Sequence, residues 1–509
     1  MMFHSILFHT PEDRETTLET PGYFTDLNLD QVINIITANK QEYRLPEFFY
    51  SPLRNLDAIH YRQEVAKDLE NEALMASIKL FAEKMTVMRR YLQLIKKLDF
   101  KYHKEGWFLE AVIVYCEAVT NLAQNLSEIT FLSRGFKEFY AYLSGYIASA
   151  EFLSLVNSTT HLKKELSTVS YTVIIKDNWV FVRKYQAEND YSLEVEQVFE
   201  KFKQGAVKDY RVNLSIGAGM NRVEAQIVNR VAKLYPKIFN NLDDYFTKNN
   251  LFLDEIISVF DREIQFYVSY LDFISAIKQS GLNFCYPLLS TKNKEVFDFD
   301  GFDIALAHKR VFEKAPVVSN DFYLKEKERI IVVTGPNQGG KTTFARTFGQ
   351  LHYLACLGLP VPGREARLYL FDQLFTHFEK EENIQNLRGK LHDDLVRIHT
   401  ILDKATPNSL IIMNEIFTST TLKDALFLSK EIMKKIIQLD ALCAFVTFID
   451  EMASFSEKTI SMVSTVVPEN PAVRTYKIVR KPADGMAYAI SIAEKYRLTY
   501  ESIKERIKL

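Results

Sequence analysis

An α/β domain with a mainly parallel sheet, preceded by a mostly α-helical region with a small β-hairpin insertion, is the fold class this 509-residue sequence predicts. Three observations predict it. Short apolar runs at Ile330-Ile-Val-Val333, Leu410-Ile-Ile-Met413 and Ala444-Phe-Val-Thr447 alternate with helical stretches, as strands buried on both faces of a parallel sheet do. Upstream, Leu74, Ile78, Phe81, Met85, Met88, Leu92 and Ile95 recur at steps of four and three, the spacing of a helix packed in a bundle. Between these regions, Tyr171 to Val182 is rich in β-branched and aromatic residues around Asp177-Asn178, which reads as a hairpin with a tight turn.

The order along the chain follows. Residues 1–50 form a mixed N-terminal segment with turn signals at Thr20-Pro-Gly22 and Leu45-Pro46. Residues 51–285 read as a helical core and lever, with helical patterning from Phe108 to Lys164 and an insertion near 166–220. That insertion includes Lys201, Lys203, Lys208 and Arg211, and Gly217-Ala-Gly219 marks a bend. Helix resumes after Met220, and Pro236 should break or kink it. From Phe252, residues Ile256, Phe260, Ile264, Tyr267, Leu271 and Ile274 keep helical spacing. Outgoing and returning helices around the insertion describe either an antiparallel arm or a compact helical domain with a surface hairpin. Residues 286–509 make up the α/β domain.

Composition bounds the function. The chain is 47% hydrophobic and 25% charged, an ordinary globular balance. Its net charge of −2 gives a nucleic-acid partner no support from bulk charge, so any such surface must be a local basic patch. Cys116, Cys285, Cys356 and Cys443 are scattered and read as thiols in a reducing compartment. The first residues lack a basic stretch followed by an apolar one, and runs such as Ala441 to Ile449 fall short of the roughly 20 residues of a membrane span. The expected location is cytoplasmic.

The chemistry concentrates at Gly335-Pro-Asn-Gln-Gly339-Gly340-Lys341-Thr342, which fits G-x-x-x-x-G-K-S/T in full between a strand and a helix expected from Thr343. Gly335, Pro336, Asn337, Gln338, Gly339, Gly340, Lys341, Thr342 and Thr343 are the candidate nucleotide contacts. Glycines let consecutive amides point at phosphate oxygens, and the helix N-terminus adds positive potential. Lys341 can neutralise the β- and γ-phosphates of ATP, and the Thr342 hydroxyl can ligate Mg²⁺. The strand at 410–413 ends in Asn414-Glu415. A carboxylate there can orient an attacking water or hold Mg²⁺ waters, which makes Glu415 and Lys341 the candidate catalytic residues and Thr342, Asn414 and Glu415 the metal set. The bland alternative for Glu415 is a strand-end surface acid. Asn414 accepts a hydrogen bond from a metal-bound water but brings no charge.

These residues resemble a known family. Thr334-Gly-Pro-Asn-Gln-Gly-Gly-Lys-Thr342 resembles the T-G-P-N-M-G-G-K-S loop of the MutS mismatch-repair family. Val318-Ser-Asn-Asp321 resembles its approach to that loop. Leu357-Gly-Leu-Pro-Val-Pro362, Phe371-Asp-Gln-Leu-Phe-Thr376 and Ala405-Thr-Pro-Asn-Ser-Leu410 are similar to later motifs, as are Thr418-Ser-Thr-Thr-Leu-Lys-Asp424 and Gly485-Met-Ala-Tyr-Ala-Ile490. The match covers about residues 315–495; weaker likeness at Pro52-Leu53 and Arg62-Gln63-Glu64-Val65 extends it. The resemblance implies an ABC-like P-loop ATPase, paired as a homodimer with nucleotide between its ATPase domains, moving helical arms around DNA. The departures are specific. The family's mismatch-reading N-terminal domain has no counterpart in the 50 or so residues before the helical core. Its S-T-F-M-x-E loop appears as Gly389-Lys-Leu-His-Asp-Asp394, with Lys390 a candidate substitute for the missing serine. Its T-H pair appears as Thr447-Phe448, and its Asp-Glu pair as Asn414-Glu415.

Two functional expectations follow. One is an ATP-dependent DNA-binding switch that hydrolyses ATP. The other is a nucleotide-binding module or partner subunit with little or no turnover. Arg183, Lys184, Lys201, Lys203 and Arg211 are the candidate DNA contacts, with Trp179 and Tyr185 able to stack on bases. Arg364 and Arg367 fit either a nucleotide contact or plain surface, and His392, Asp393 and Asp394 either a metal site or a polar loop.

Overall fold

The computed structural model describes residues 3–14, 16–177, 179–187, 219–379, 389–483 and 498–507. They form two compact units: residues 1–3, 71–130 and 137–261 in one, and 4–70, 131–136 and 262–509 in the other. The units cut across the boundaries expected at 50 and 285, because most of the N-terminal segment and residues 262–285 group with the α/β region.

The α/β unit takes residues 4–70, with α1 (Leu29–Ile36), α2 (Pro46–Phe49) and α3 (Leu56–Asp68). The helical unit follows with α4 (Glu72–Ile95), α5 (Lys101–Ser127), most of α6 (Arg134–Ile147) and α7 (Ala150–Ser167). Asn71 caps α4 by accepting from the amides of Ala73 and Leu74, and the seam Leu74, Ile78, Phe81, Met85 and Met88 is buried. Among the described residues, α5 is the one helix long and apolar enough to cross a membrane, where the sequence reading expected none. More than half of its apolar window, 56%, is buried inside the protein, as in a core helix. The hairpin forms as β1 (Tyr171–Lys176) and β2 (Trp179–Lys184), antiparallel, with Val173 opposite Val182 and Asp177 in the left-handed region of its turn. Then α8 (Arg222–Leu234) stops just before Pro236, which opens α9 (Pro236–Lys248). A proline lacks only an amide that a first helical turn leaves unused. Lys201, Lys203, Lys208, Arg211 and the 485–493 motif lie outside the described residues.

From Arg262, within α10 (Glu255–Gln279), the chain belongs to the α/β unit. There follow β3 (Phe284–Cys285), β4 (Leu288–Ser290), β5 (Val296–Gly301), α11 (Ile304–Phe312), β6 (Asn320–Leu324), β7 (Ile330–Thr334), α12 (Lys341–Cys356), β8 (Val361–Pro362), β9 (Glu365–Tyr369), β10 (Leu374–Phe378), α13 (Lys390–Lys404), β11 (Leu410–Asn414), α14 (Leu422–Leu439), β12 (Leu442–Val446), β13 (Thr459–Val467), β14 (Asn470–Arg480) and α15 (Tyr500–Ile507). Among the described residues, the central sheet runs β10-β11-β12-β7-β13-β14; its pairs are parallel except the last, which is antiparallel. A smaller sheet runs β4-β9-β5-β6. The expected apolar runs are β7, β11 and β12, fully buried as strands covered on both faces must be.

Helix α12 is buried from Phe344 through Cys356 apart from Arg346, because the sheet covers one side and the N-terminal segment the other. Gly349 marks that squeeze: a Cβ there would lie 2.6 Å from Ile412 Cδ1 and 2.8 Å from Leu27 Cδ1. Arg346 Nε and Gln350 Nε2 donate to the carbonyls of Asp26 and Leu27 at 3.0 and 2.9 Å, and Tyr353 donates to Phe49 O at 2.5 Å. The segment read from sequence as a separate lead-in thus holds this helix in place.

At the opposite end of the sheet, Asp440 ties three strand starts together. Its carboxylate takes Lys458 Nζ at 2.7 Å, Arg329 Nε at 3.1 Å and Lys294 Nζ at 3.3 Å. Burial alone would raise this carboxyl, but hydrogen bonds from Lys458 and Arg329 and the nearby positive charges outweigh it and bring it down to about 2. A carboxylate depressed in the folded state contributes stability that is complete above its ordinary value of 3.8 and is lost as pH falls towards 2. Asp440→Asn keeps a side chain tolerated at its left-handed backbone and removes the charge. Solvent screening at this partly exposed group limits the expected loss to about 1–2 kcal/mol at pH 7. The variant should differ less from wild type at pH 2 than at pH 7, read by urea unfolding at both.

Candidate functional site

The site is built where β7 ends. Its backbone turns sharply at Gly335, Gln338 and Gly340, all in left-handed conformations, with φ of 115°, 59° and 93°. Then α12 begins at Lys341, two residues earlier than expected, with Gly340 as its cap and no side chain satisfying its first amides. The first amides of a helix have no partner within it, so this end offers donors and partial positive charge to an anion. Thr342 and Thr343 lie in that first turn, half-buried. Pro336 is buried, whereas Asn337 and Gln338 are exposed at the top of the loop.

Sequence reasoning missed what holds the loop from below. Ser464 on β13 is fully buried and donates its hydroxyl to Gly339 O at 2.6 Å. A Cβ on Gly335 would meet Ser464 O at 2.8 Å, and one on Gly339 would meet Ser464 Oγ at 2.2 Å. The glycines therefore serve close packing against β13 as well as access to the loop. Arg474 on β14 donates to Asn337 O at 3.2 Å, and Asn320 bridges Tyr476 O and Ile478 N of the same strand at 3.2 and 2.7 Å. Of these, only Asn320 fell in a motif that the sequence singled out.

Lys341 is 3% exposed. Its amine donates to Gly335 O at 3.1 Å, Pro336 O at 3.2 Å and Asn337 Oδ1 at 3.4 Å, and lies 3.4 Å from Glu415 Oε1. Burial lowers the lysine from its ordinary value, and the Glu415 carboxylate opposes that effect. Glu415 follows β11 with φ 50°, its amide bound to Val446 O at 2.9 Å. A glutamate in the left-handed region is uncommon and is held here by the neighbouring strand. Asn414 is 6% exposed, and its Oδ1 has no hydrogen-bond partner among the described residues. A buried acceptor left open on the residue before Glu415 suits a water bound to a metal, so the residues present fit Mg²⁺.

Other candidates lie elsewhere. Lys390 pairs with Glu379, which also accepts from Thr418 Oγ1 at 2.9 Å, so in this structure the lysine is engaged within its own chain. Arg364 pairs with Asp300 at 3.1 Å, and Arg367 lies over the Phe297 ring, which makes both supports of the smaller sheet. Asp394 is 3.2 Å from the buried His377, while His392 is exposed. Thr447 is buried with its amide on Val333 O, and Phe448 is 45% exposed. On the hairpin, Trp179 and Tyr185 are 71% and 52% exposed; Arg183 is exposed, and Lys184 lies over the Tyr235 ring at 5.0 Å.

The family model of MutS domain V matches residues 331–507. The chain is 30% identical over 191 residues to the DNA mismatch repair protein MutS of Halalkalibacterium halodurans, covering 36% of this chain and 22% of that protein. Against the protein of the same name from Thermotoga sp. (strain RQ2) it is 26% identical over 212 residues, 41% of this chain and 27% of the relative. Against that of Thermotoga maritima it is 25% identical over 270 residues, 52% of this chain and 32% of the relative. The matched segments thus span about a third or less of those relatives' lengths. Residues 331–507 of this chain are thus similar to MutS domain V.

Proposed function

We propose that this chain is an ATP-dependent DNA-binding switch of the MutS type, and that its α/β unit is a P-loop ATPase domain of the ABC-like class. One observation carries the reading: an uncapped helix start, a buried lysine and a carboxylate 3.4 Å from it converge at the ends of strands β7 and β11, which flank β12. In this reading the amides of residues 339–342 bind the polyphosphate, and Lys341 exchanges its loop carbonyls and Glu415 for phosphate oxygens. Glu415, released from the lysine, orients the attacking water. Thr342 and Asn414 would hold Mg²⁺, which would supply charge neutralisation at the phosphates. Two such domains pair in a homodimer, the hairpin region contacts DNA, and the protein works in the cytoplasm.

Purified protein with Mg²⁺ and ATP tests the reading: turnover is expected at about 0.01–10 per second and is lost on chelation. Binding to perfect, mismatched, branched and single-stranded DNA, with and without ATP, should weaken steeply as salt rises. No binding to any of them at about 50 mM salt with ATP removes the DNA part. A second reading, nucleotide binding without hydrolysis, draws on the uncharged Asn414, on Phe448 and on the engagement of Lys390 by Glu379. Nucleotide affinity with no turnover in the wild type favours it.

A further inference from the structure

We infer that Arg474, on the bulged strand β14, is a second cation of the polyphosphate site and contacts the terminal phosphate of bound ATP. The inference rests on the reading of residues 335–342 as a nucleotide loop, and three observations carry it. The first is position. Arg474 Nε donates to the main-chain oxygen of Asn337 at 3.2 Å, so its guanidinium lies against the loop itself. That acceptor is a neutral carbonyl on an exposed residue, and charged phosphate oxygens are stronger acceptors for a guanidinium.

The second is backbone shape. Ser464 pairs with Ile478 but Val466 pairs with Arg474, so Thr465 alone faces residues 475–477. This bulge is fixed by the Thr465 and Thr475 hydroxyls, 2.6 Å apart, and by Thr475 Oγ1 donating to Thr465 O at 2.9 Å. Tyr476 within it is left-handed, with φ 59°. Bulges of this kind redirect a side chain near a site, at a cost in regular pairing. The third is charge. Lys341 Nζ donates to Asn337 Oδ1 at 3.4 Å and Arg474 Nε to Asn337 O at 3.2 Å, so both cations meet at one loop residue, while Glu415 is the carboxylate facing the lysine and Asn414 adds none. Two cations brought together over one loop repel each other, and an anion between them relieves the repulsion.

The test is calorimetric titration of the full chain with ATP and with ADP, in Mg²⁺ at fixed salt, for wild type, Arg474→Ala and Arg474→Lys. ATP affinity is expected to fall about ten- to hundredfold in Arg474→Ala, and ADP affinity less than about threefold. Arg474→Lys should recover part of the ATP affinity, because charge returns without the fork. Equal losses for ATP and ADP, with a lowered melting temperature, overturn the inference in favour of a loop brace. Unchanged ATP affinity in Arg474→Ala overturns it too and leaves the nucleotide reading intact. A folded wild type that binds neither nucleotide sinks both.

Discussion

Glu415→Gln is expected to lower ATP turnover about a hundred- to ten-thousandfold while ATP affinity holds or rises a few-fold. The two halves of this result have one physical source. Lys341 is buried, and its amine lies 3.4 Å from the Glu415 carboxylate, so a phosphate must compete with that carboxylate for the lysine. Glutamine keeps the size and hydrogen-bonding reach of the side chain but removes the charge, which relaxes the competition and the repulsion of a γ-phosphate. On the proposed reading it also removes the group that draws a proton from water, so the chemical step slows by the factor expected. The amine keeps its bonds to Gly335 O and Pro336 O, so the empty loop should stay folded. Single-turnover hydrolysis and direct ATP titration separate the effects. Wild-type turnover in Glu415→Gln reduces Glu415 to a strand-end surface acid. Lys341→Ala makes the contrast, since affinity and turnover should fall together when the binding cation is gone.

Much of the candidate site was legible because it is local. Residues 335–342 form one loop, and the spacing of glycines, lysine and threonine brings those residues together without a partner element. Strands β7, β11 and β12 were legible too, since burial on both faces leaves uninterrupted apolar runs. The rest depends on distant pairings that no short pattern encodes. Ser464 and Arg474 reach the loop only because β13 lies beside β7 and β14 bulges, and neither fact shows in the composition of 459–480. The role of residues 21–53 was hidden for the same reason. Their turn signals were plain, but their contacts with α12 cross some 300 positions of sequence. Lys390, a motif position that suggested a phosphate contact, pairs in this structure with Glu379 of its own chain, a contact that the motif did not encode.

Gly335→Ala should destabilise the α/β unit by about 3 kcal/mol and weaken ATP binding about a hundredfold. At φ 115° an alanine is strained wherever space is found, because its Cβ crowds its own backbone. Here space is also missing. The new Cβ would sit 2.8 Å from Ser464 O and 3.1 Å from Ser464 N, backbone atoms that cannot rotate away as a side-chain tip can. Strand β13 cannot withdraw cheaply, since Val463 pairs with Thr334 directly before the loop. The strain is therefore released by the loop, which moves the amides ahead of α12 and takes Lys341 out of line with Glu415. Displacements near an ångström are enough to forfeit most of the advantage of preset donors. Gly389→Ala serves as the control: a Cβ added there would meet no atom within 4 Å among the described residues, and its φ of −67° suits any residue, so stability should fall by no more than the ~1 kcal/mol that alanine costs at a helix cap, and ATP affinity should not change. Urea unfolding and ATP titration of the two variants decide the matter. A destabilised Gly335→Ala that still binds ATP like wild type would mean that nucleotide affinity comes from somewhere other than this loop.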